Sequence, residues 1–156
     1  MGYYIYIMRM SSEFGNQMQT CGIPWNADRC RITNRIIANT AAVLALTLGK
    51  EMEGIIGPTV TDGSGQSHVG ITNTPIPILK GDSLKIKDLR SRLYTDEFAD
   101  LFVVDFSDAA QTTTNYEEYT RKIATFSADD LEYLGLEICG DKKKVNKLTG
   151  SMGLLR

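Results

Sequence analysis

The stretch Asn34–Gly49, NRIIANTAAVLALTLG, constrains the chain most. After Arg35 it is apolar on nearly every side, rich in Ala and Leu, and closed by a Gly at the expected C′ position. A helix apolar all round is a buried helix, so this one is expected to lie across a sheet for roughly 22 Å, with Thr33 or Asn34 as its N-cap. Its strongly polar interior residue is Asn39, whose amide needs a partner in a neighbouring loop or a cavity.

The rest of the chain supplies the sheet. Tyr3–Met8 (YYIYIM) is aromatic and β-branched and predicts a strand, and Arg29–Thr33 a second, short one. Between them the run from Met10 to Asp28 is polar and irregular. Met52–Thr59 predicts a turn into extended chain, and Asp62-Gly63-Ser64-Gly65 an exposed hairpin within Val60–Ile71. Pro75–Leu79 (PIPIL) carries prolines at alternate positions, which confines it to an edge strand or the start of one. Asp82–Tyr94 predicts a surface helix begun by Asp82, with Leu84, Leu89 and Leu93 on its apolar face. Leu101–Val104 (LFVV) is continuous and apolar, as in a buried central strand ending at Asp105. A further amphipathic helix is expected over Asn115–Phe126 and an alternating, half-buried strand over Leu131–Cys139. A last helix follows over Lys142–Leu148. Helices interleaved with strands predict a single three-layer α/β domain with a largely parallel or mixed sheet. Residues 29–156 form that domain, preceded by an N-terminal strand and irregular segment over residues 1–28.

Charge and cysteine content narrow the partners. Seventeen basic and 19 acidic residues leave a net charge of −2, so no overall field draws the protein to nucleic acid or an anionic membrane. The three cysteines, Cys21, Cys30 and Cys139, form no C-x-x-C pair and read as reduced thiols of a cytoplasmic protein. No secretory signal and no membrane span is recognised. The serine-hydrolase elbow, the Walker A loop, the zinc-peptidase helix and the EF-hand loop are missing, and no cofactor or metal is expected.

From Ile36 onward, over about three quarters of the chain, the landmarks IIANTAAVLAL, GIIGPTVTDGSG, GITNTPIPIL, LFVVDFSDAAQ and LGLEICGDKKKVNKLTGSMGLL occur in an order that resembles a bacterial family known only as domain of unknown function number two thousand. The block KKKVNKLTGS is the most specific part. The resemblance implies the fold of the type II peptidyl-tRNA hydrolases, a compact α/β/α domain around a roughly four-stranded mixed sheet. Those hydrolases carry a Gly-Lys step, a Gln and a His in and before the first helix. Here Asn39 stands near the Gln position, and the Gly-Lys step and the His are absent.

Candidate site residues follow from position. Asp105 and Gln111 lie just beyond the apolar strand, where α/β sheets gather ligands, although Asp105 or Asp108 could equally cap the following turn. Lys142, Lys143 and Lys144 open the last helix, where free N–H groups attract anions unless Asp141 occupies them. Asn146, Lys147, Thr149 and Ser151 would join Asn39 if the last helix packs beside the first. His68, the single imidazole, has no evident acid to pair with and reads as a surface residue. Cys139 reads as a core thiol.

The leading expectation is a cleft formed by Asn39, the Asp105–Gln111 loop and Lys144–Ser151, binding a small anionic or amide-bearing ligand. The alternative is a hydrolase of an ester or amide such as peptidyl-tRNA, with Asp105 orienting water and Asn39 or Lys147 stabilising the oxyanion. A third reading is a structural or interaction module. Homodimerisation through the aromatic N-terminal strand is compatible with each.

Overall fold

The computed structural model describes residues 3–10 and 27–155, with side chains from Arg35 onward. Most of the irregular run over 10–28 lies outside the described residues. The chain is mixed α/β. Its main sheet is four-stranded, built from β1 (Tyr3–Met10), β4 (Ile78–Gly81), β5 (Phe102–Ser107) and β6 (Tyr133–Asp141) in the order β4-β1-β6-β5. β1 runs parallel to β4 and antiparallel to β6, and β5 runs antiparallel to β6. The N-terminal strand is thus an inner strand, and its hydrogen-bonding edges are already taken. That rules out pairing between copies through it.

The central helix, α1, spans Ala27–Glu51. It absorbs the strand expected over Arg29–Thr33, because adding residues to an existing helix costs far less than nucleating one and the β-branched Ile32 and Thr33 oppose it only weakly. The helix is also not buried all round. Thr40, Leu44 and Leu48 form its buried stripe, at i, i+4 and i+8, while Ala38, Ala42, Val43 and Leu46 face outward. A sheet covers one side of a helix, and nothing described covers the other.

Leu48 shares an apolar cluster with Cys139 of β6 and Phe102 of β5, residues paired across the two strands. Side chains alternate along a strand, so Ile138 and Val103 point away from α1, and with them Asp105. On that opposite side Arg90 of α2 (Ser83–Leu93) reaches Asp105. Asp82 caps α2 by accepting the Lys85 N–H at 2.7 Å. Leu84, expected on the apolar face, is exposed, and Ile86, Leu89 and Leu93 carry the packing.

Two strand readings change places. Apolar LFVV leads into the edge strand β5, which continues through Asp105 to Ser107, whereas LEYLGLEIC, expected to be half-buried, is an inner strand buried on both faces from Tyr133 to Cys139. Edge β4 is covered by the C-terminal tail, where Lys80 donates to the Gly153 carbonyl and Leu155 to that of Ile78, both at 2.8 Å. The Pro75–Leu79 segment therefore leads into an edge strand, as its prolines require. Between α1 and β4 projects an arm whose short strands β2 (Val60–Thr61) and β3 (Ser67–His68) form the expected hairpin. The arm's strands approach closely, since a Cβ on Gly70 would lie 1.7 Å from the Gly57 carbonyl oxygen. Among the described residues no helix is long and apolar enough to cross a membrane.

Candidate functional site

The end of β5 turns directly into the short helix α3 (Asp108–Gln111). Two bonds to the residue before β6 fix this turn: the Asp108 N–H donates to the Glu132 carbonyl at 2.9 Å, and the Glu132 N–H to Asp108 Oδ1 at 3.3 Å. Asp108 is therefore partly a structural acid. Its charge, after burial itself, raises the pKa of the Glu132 carboxyl.

Held this way, Gln111 meets α1. The Asn39 Nδ2 amide donates to Gln111 Oε1 at 3.1 Å, joining residues 72 apart in sequence, and both side chains remain exposed. Each amide makes one bond in this pair, which leaves the Gln111 NH₂ and the Asn39 carbonyl oxygen directed to other partners or solvent. Lys122 of α4 (Tyr116–Ile123) donates at 2.5 Å to the hydroxyl of Thr112, the residue that follows Gln111 in the chain. That partner is neutral, so it does not cancel the ammonium charge. Sequence reasoning missed Lys122 because it sits in an ordinary basic last turn, and only the fold of α4 against α3 brings it to the strand end.

The other candidates lie elsewhere. Asp105 is paired with Arg90 Nε at 3.3 Å, with both side chains about one-fifth exposed, and the Arg90 guanidinium is stacked 4.3 Å from the Tyr94 ring centroid and 5.0 Å from that of Tyr133. It points away from α1 and Asn39. At the opposite end of β5, Lys144 pairs with Asp100 at 2.6 Å and Lys147 with Glu97. These ion pairs tie α5 (Lys142–Thr149) to the turn before β5. Lys144 holds the exposed Asp100 carboxyl below its usual pKa, chiefly by that hydrogen bond. Asp141 accepts the N–H groups of Lys143 and Lys144, occupying the helix start that an anion would have used. Asn146 is also engaged, and the Thr149 hydroxyl donates to the Val145 carbonyl at 2.8 Å. Ser151 is exposed in the tail. The cleft expected from Asn39, Asp105–Gln111 and Lys144–Ser151 is thus divided: Asn39 and Gln111 meet, and the α5 residues gather about a strand length away, roughly 20 Å.

His68 also departs from expectation, since its Nε2 lies 3.1 Å from Asp62 Oδ2. Asp62 further accepts the N–H and hydroxyl of Ser64 and the N–H of Gln66, which hold its carboxyl well below the usual range. This is a self-satisfied turn. A shallow depression on α4 is lined by Tyr116, Glu117, Thr120 and Arg121 and contains none of the expected residues.

One buried acid escaped the sequence reading. Glu137 is fully buried in β6, and among the described residues neither carboxylate oxygen has a hydrogen-bond partner. It lies on the α1 side of the sheet, two residues from Cys139, and burial pushes its pKa up to about 7. The signal was available: an acid inside an otherwise apolar strand. The Thr40 hydroxyl on α1 and the Ser107 hydroxyl are also buried without partners among the described residues.

Residues 31–156 match the family described as a protein of unknown function, DUF2000. The chain belongs to that family. A solved structure of a protein of unknown function, Atu0240 from Agrobacterium tumefaciens strain C58, has a TM-score of 0.74 and 17% identity. The alignment covers 100% of this chain and 99% of that one, so the fold is shared along its whole length. No curated protein matches the chain. Among the described residues of this DUF2000 member, no group of three or more His, Cys, Asp or Glu side chains could hold a metal ion.

Proposed function

We propose that this DUF2000 domain binds a small amide-bearing or anionic ligand at the carboxyl end of β5, with Asn39 and Gln111 as its recognition pair and Lys122 as its charge. The observation that carries the reading is the Asn39–Gln111 bond, which joins two exposed amides from distant elements at the strand end where α/β sheets place ligands. A ligand amide or carboxylate would accept from the Gln111 NH₂ and, if an amide, donate to the Asn39 carbonyl, while Lys122 would favour a negative group. We read the architecture as a three-layer α/β/α domain of the type II peptidyl-tRNA hydrolase kind. The support is that Leu48 of α1 and Arg90 of α2 reach strand positions that alternate to opposite faces. We place the protein in the cytoplasm, where a buried free thiol such as Cys139 stays reduced.

The test is a thermal-shift and NMR titration screen of small amides, carboxylates and phosphates. Binding that weakens at least about tenfold in both Asn39→Ala and Gln111→Ala, each loss being about one charge-assisted or neutral hydrogen bond, supports the site. Binding unaffected by either substitution removes it. Hydrolysis of an ester or amide would need a base beside this pair. Asp105 is engaged by Arg90, so Asp108 is the carboxylate to test, through turnover of peptidyl-tRNA by the wild type and Asp108→Asn.

A further inference from the structure

The arm between α1 and β4 is built like an interface. Between Lys50 and Lys80 there is no Lys or Arg, and past Glu53 the one acid, Asp62, is bonded to His68 and its own turn. Along this neutral arm Val69 is 85% exposed, Ile71 81%, Val60 58% and Ile56 50%. Its pairing sorts them by face. Val60 opposes His68 and Ile56 opposes Thr72, so Ile56 and Val60 share one face, and Val69 and Ile71 alternate to the other. The outer face of α1, the helix from whose end the arm springs, has the same character. The outward arc of α1 carries Ala38, Ala42, Val43 and Leu46, the last 78% exposed, with Asn39 its single polar residue between Ala38 and Leu46.

We propose that the arm and the outer face of α1 together form a two-fold interface with a second copy of this chain. Three observations select that occupant. An arm apolar on both faces is not covered by one flat surface, whereas two symmetry-related arms can cover one face with the partner's arm and the other with the partner's α1. The patch lacks the cations that a nucleic acid or an anionic membrane would require, and charge depletion at its centre is the mark of protein interfaces. The six large residues named (Ile56, Val60, Val69, Ile71, Val43 and Leu46) are between 38% and 85% exposed, an apolar surface of the kind that the core of a stable interface covers. The interface shares Asn39 with the ligand reading but stands on the arm and Leu46, which that reading does not use. It also replaces pairing through β1, which is an inner strand.

Sedimentation equilibrium of the full chain across the micromolar range tests it. The wild type is expected to be dimeric. V69K/I71K, and separately L46K, are expected to raise the dimer dissociation constant at least about a hundredfold, because each brings a cation into a desolvated apolar patch. These positions are exposed, so circular dichroism should stay at wild-type values, and the thermal midpoint should fall only by the concentration-dependent stabilisation that the dimer itself supplies. A wild type that is monomeric at every concentration overturns the proposal. So does a dimer that survives both sets of substitutions, or one that dissociates in favour of neutral phosphatidylcholine vesicles.

Discussion

At the scale of single residues, the informative ones are those whose polarity conflicts with their burial. Glu137 is fully buried with no partner for its carboxylate among the described residues, and burial raises its pKa to about 7 from an unfolded value near 4.5. The sign follows from linkage: below about pH 4.5 the group is protonated in both states and carries no charge penalty. As pH rises toward 7 the unfolded chain loses the proton first, so stability falls across that window and levels off above it. A shift of this size corresponds to a loss on the order of 3 kcal/mol. Glu137→Gln should therefore flatten urea-derived stability between pH 4.5 and 7 and exceed the wild type at pH 8. Equal slopes in the two proteins would mean that the carboxylate has a partner in solution. Asn39 carries the complementary lesson. A polar residue in an apolar helix predicted a partner, and it has one in Gln111, but on the solvent side of α1.

At the scale of elements, local chemistry reads well where the cause is local. Asp82, Asn115 and Asp141 each accept N–H groups of the helix that follows, and the Asp62 turn closes the hairpin. Asp82→Ala should cost about 1 kcal/mol in chemical unfolding without changing the far-ultraviolet spectrum of the rest. A loss below a few tenths would show that α2 is held by Ile86, Leu89 and Leu93 alone. Burial, by contrast, is not a local property. The Ala- and Leu-rich arc of α1 has the same composition on its sheet side and its outer side, so periodicity could not tell which would be covered. Likewise LFVV and LEYLGLEIC exchange the edge and inner positions that their hydropathy suggested, because strand order depends on partners far away in sequence.

At the scale of the whole molecule, β1 is the keystone of the sheet. It pairs with β4 over Ile7–Met10 and with β6 over Tyr3–Arg9. Removing residues 1–10 would leave β4 unpaired on one side and expose the backbone edge of β6. Such a truncation is expected to be unfolded or aggregated at conditions where the full chain is folded, as read by near-ultraviolet circular dichroism and gel filtration. A truncated chain with a cooperative thermal transition would contradict that role. The ligand site and the arm, in turn, lie on different parts of the molecule, so loss of binding and loss of dimerisation should separate among the Gln111→Ala and V69K/I71K variants.

From residue order alone came the α/β class, the N-caps of α2, α4 and α5, the hairpin, the edge position of the proline-bearing segment and the pairing need of Asn39, since each rests on a few neighbouring residues and their backbone preferences; the ends expected for α1 at Thr33 or Asn34 and at Gly49 lie inside the helix. Tertiary structure alone decided that β1 and β6 are inner strands, that α1 turns an apolar face outward, that Asp105 belongs to Arg90 and that the α5 lysines lie a strand length from Asn39. Those outcomes depend on which surfaces meet across long stretches of chain, and burial free energy is set by that meeting rather than by the sequence of either surface.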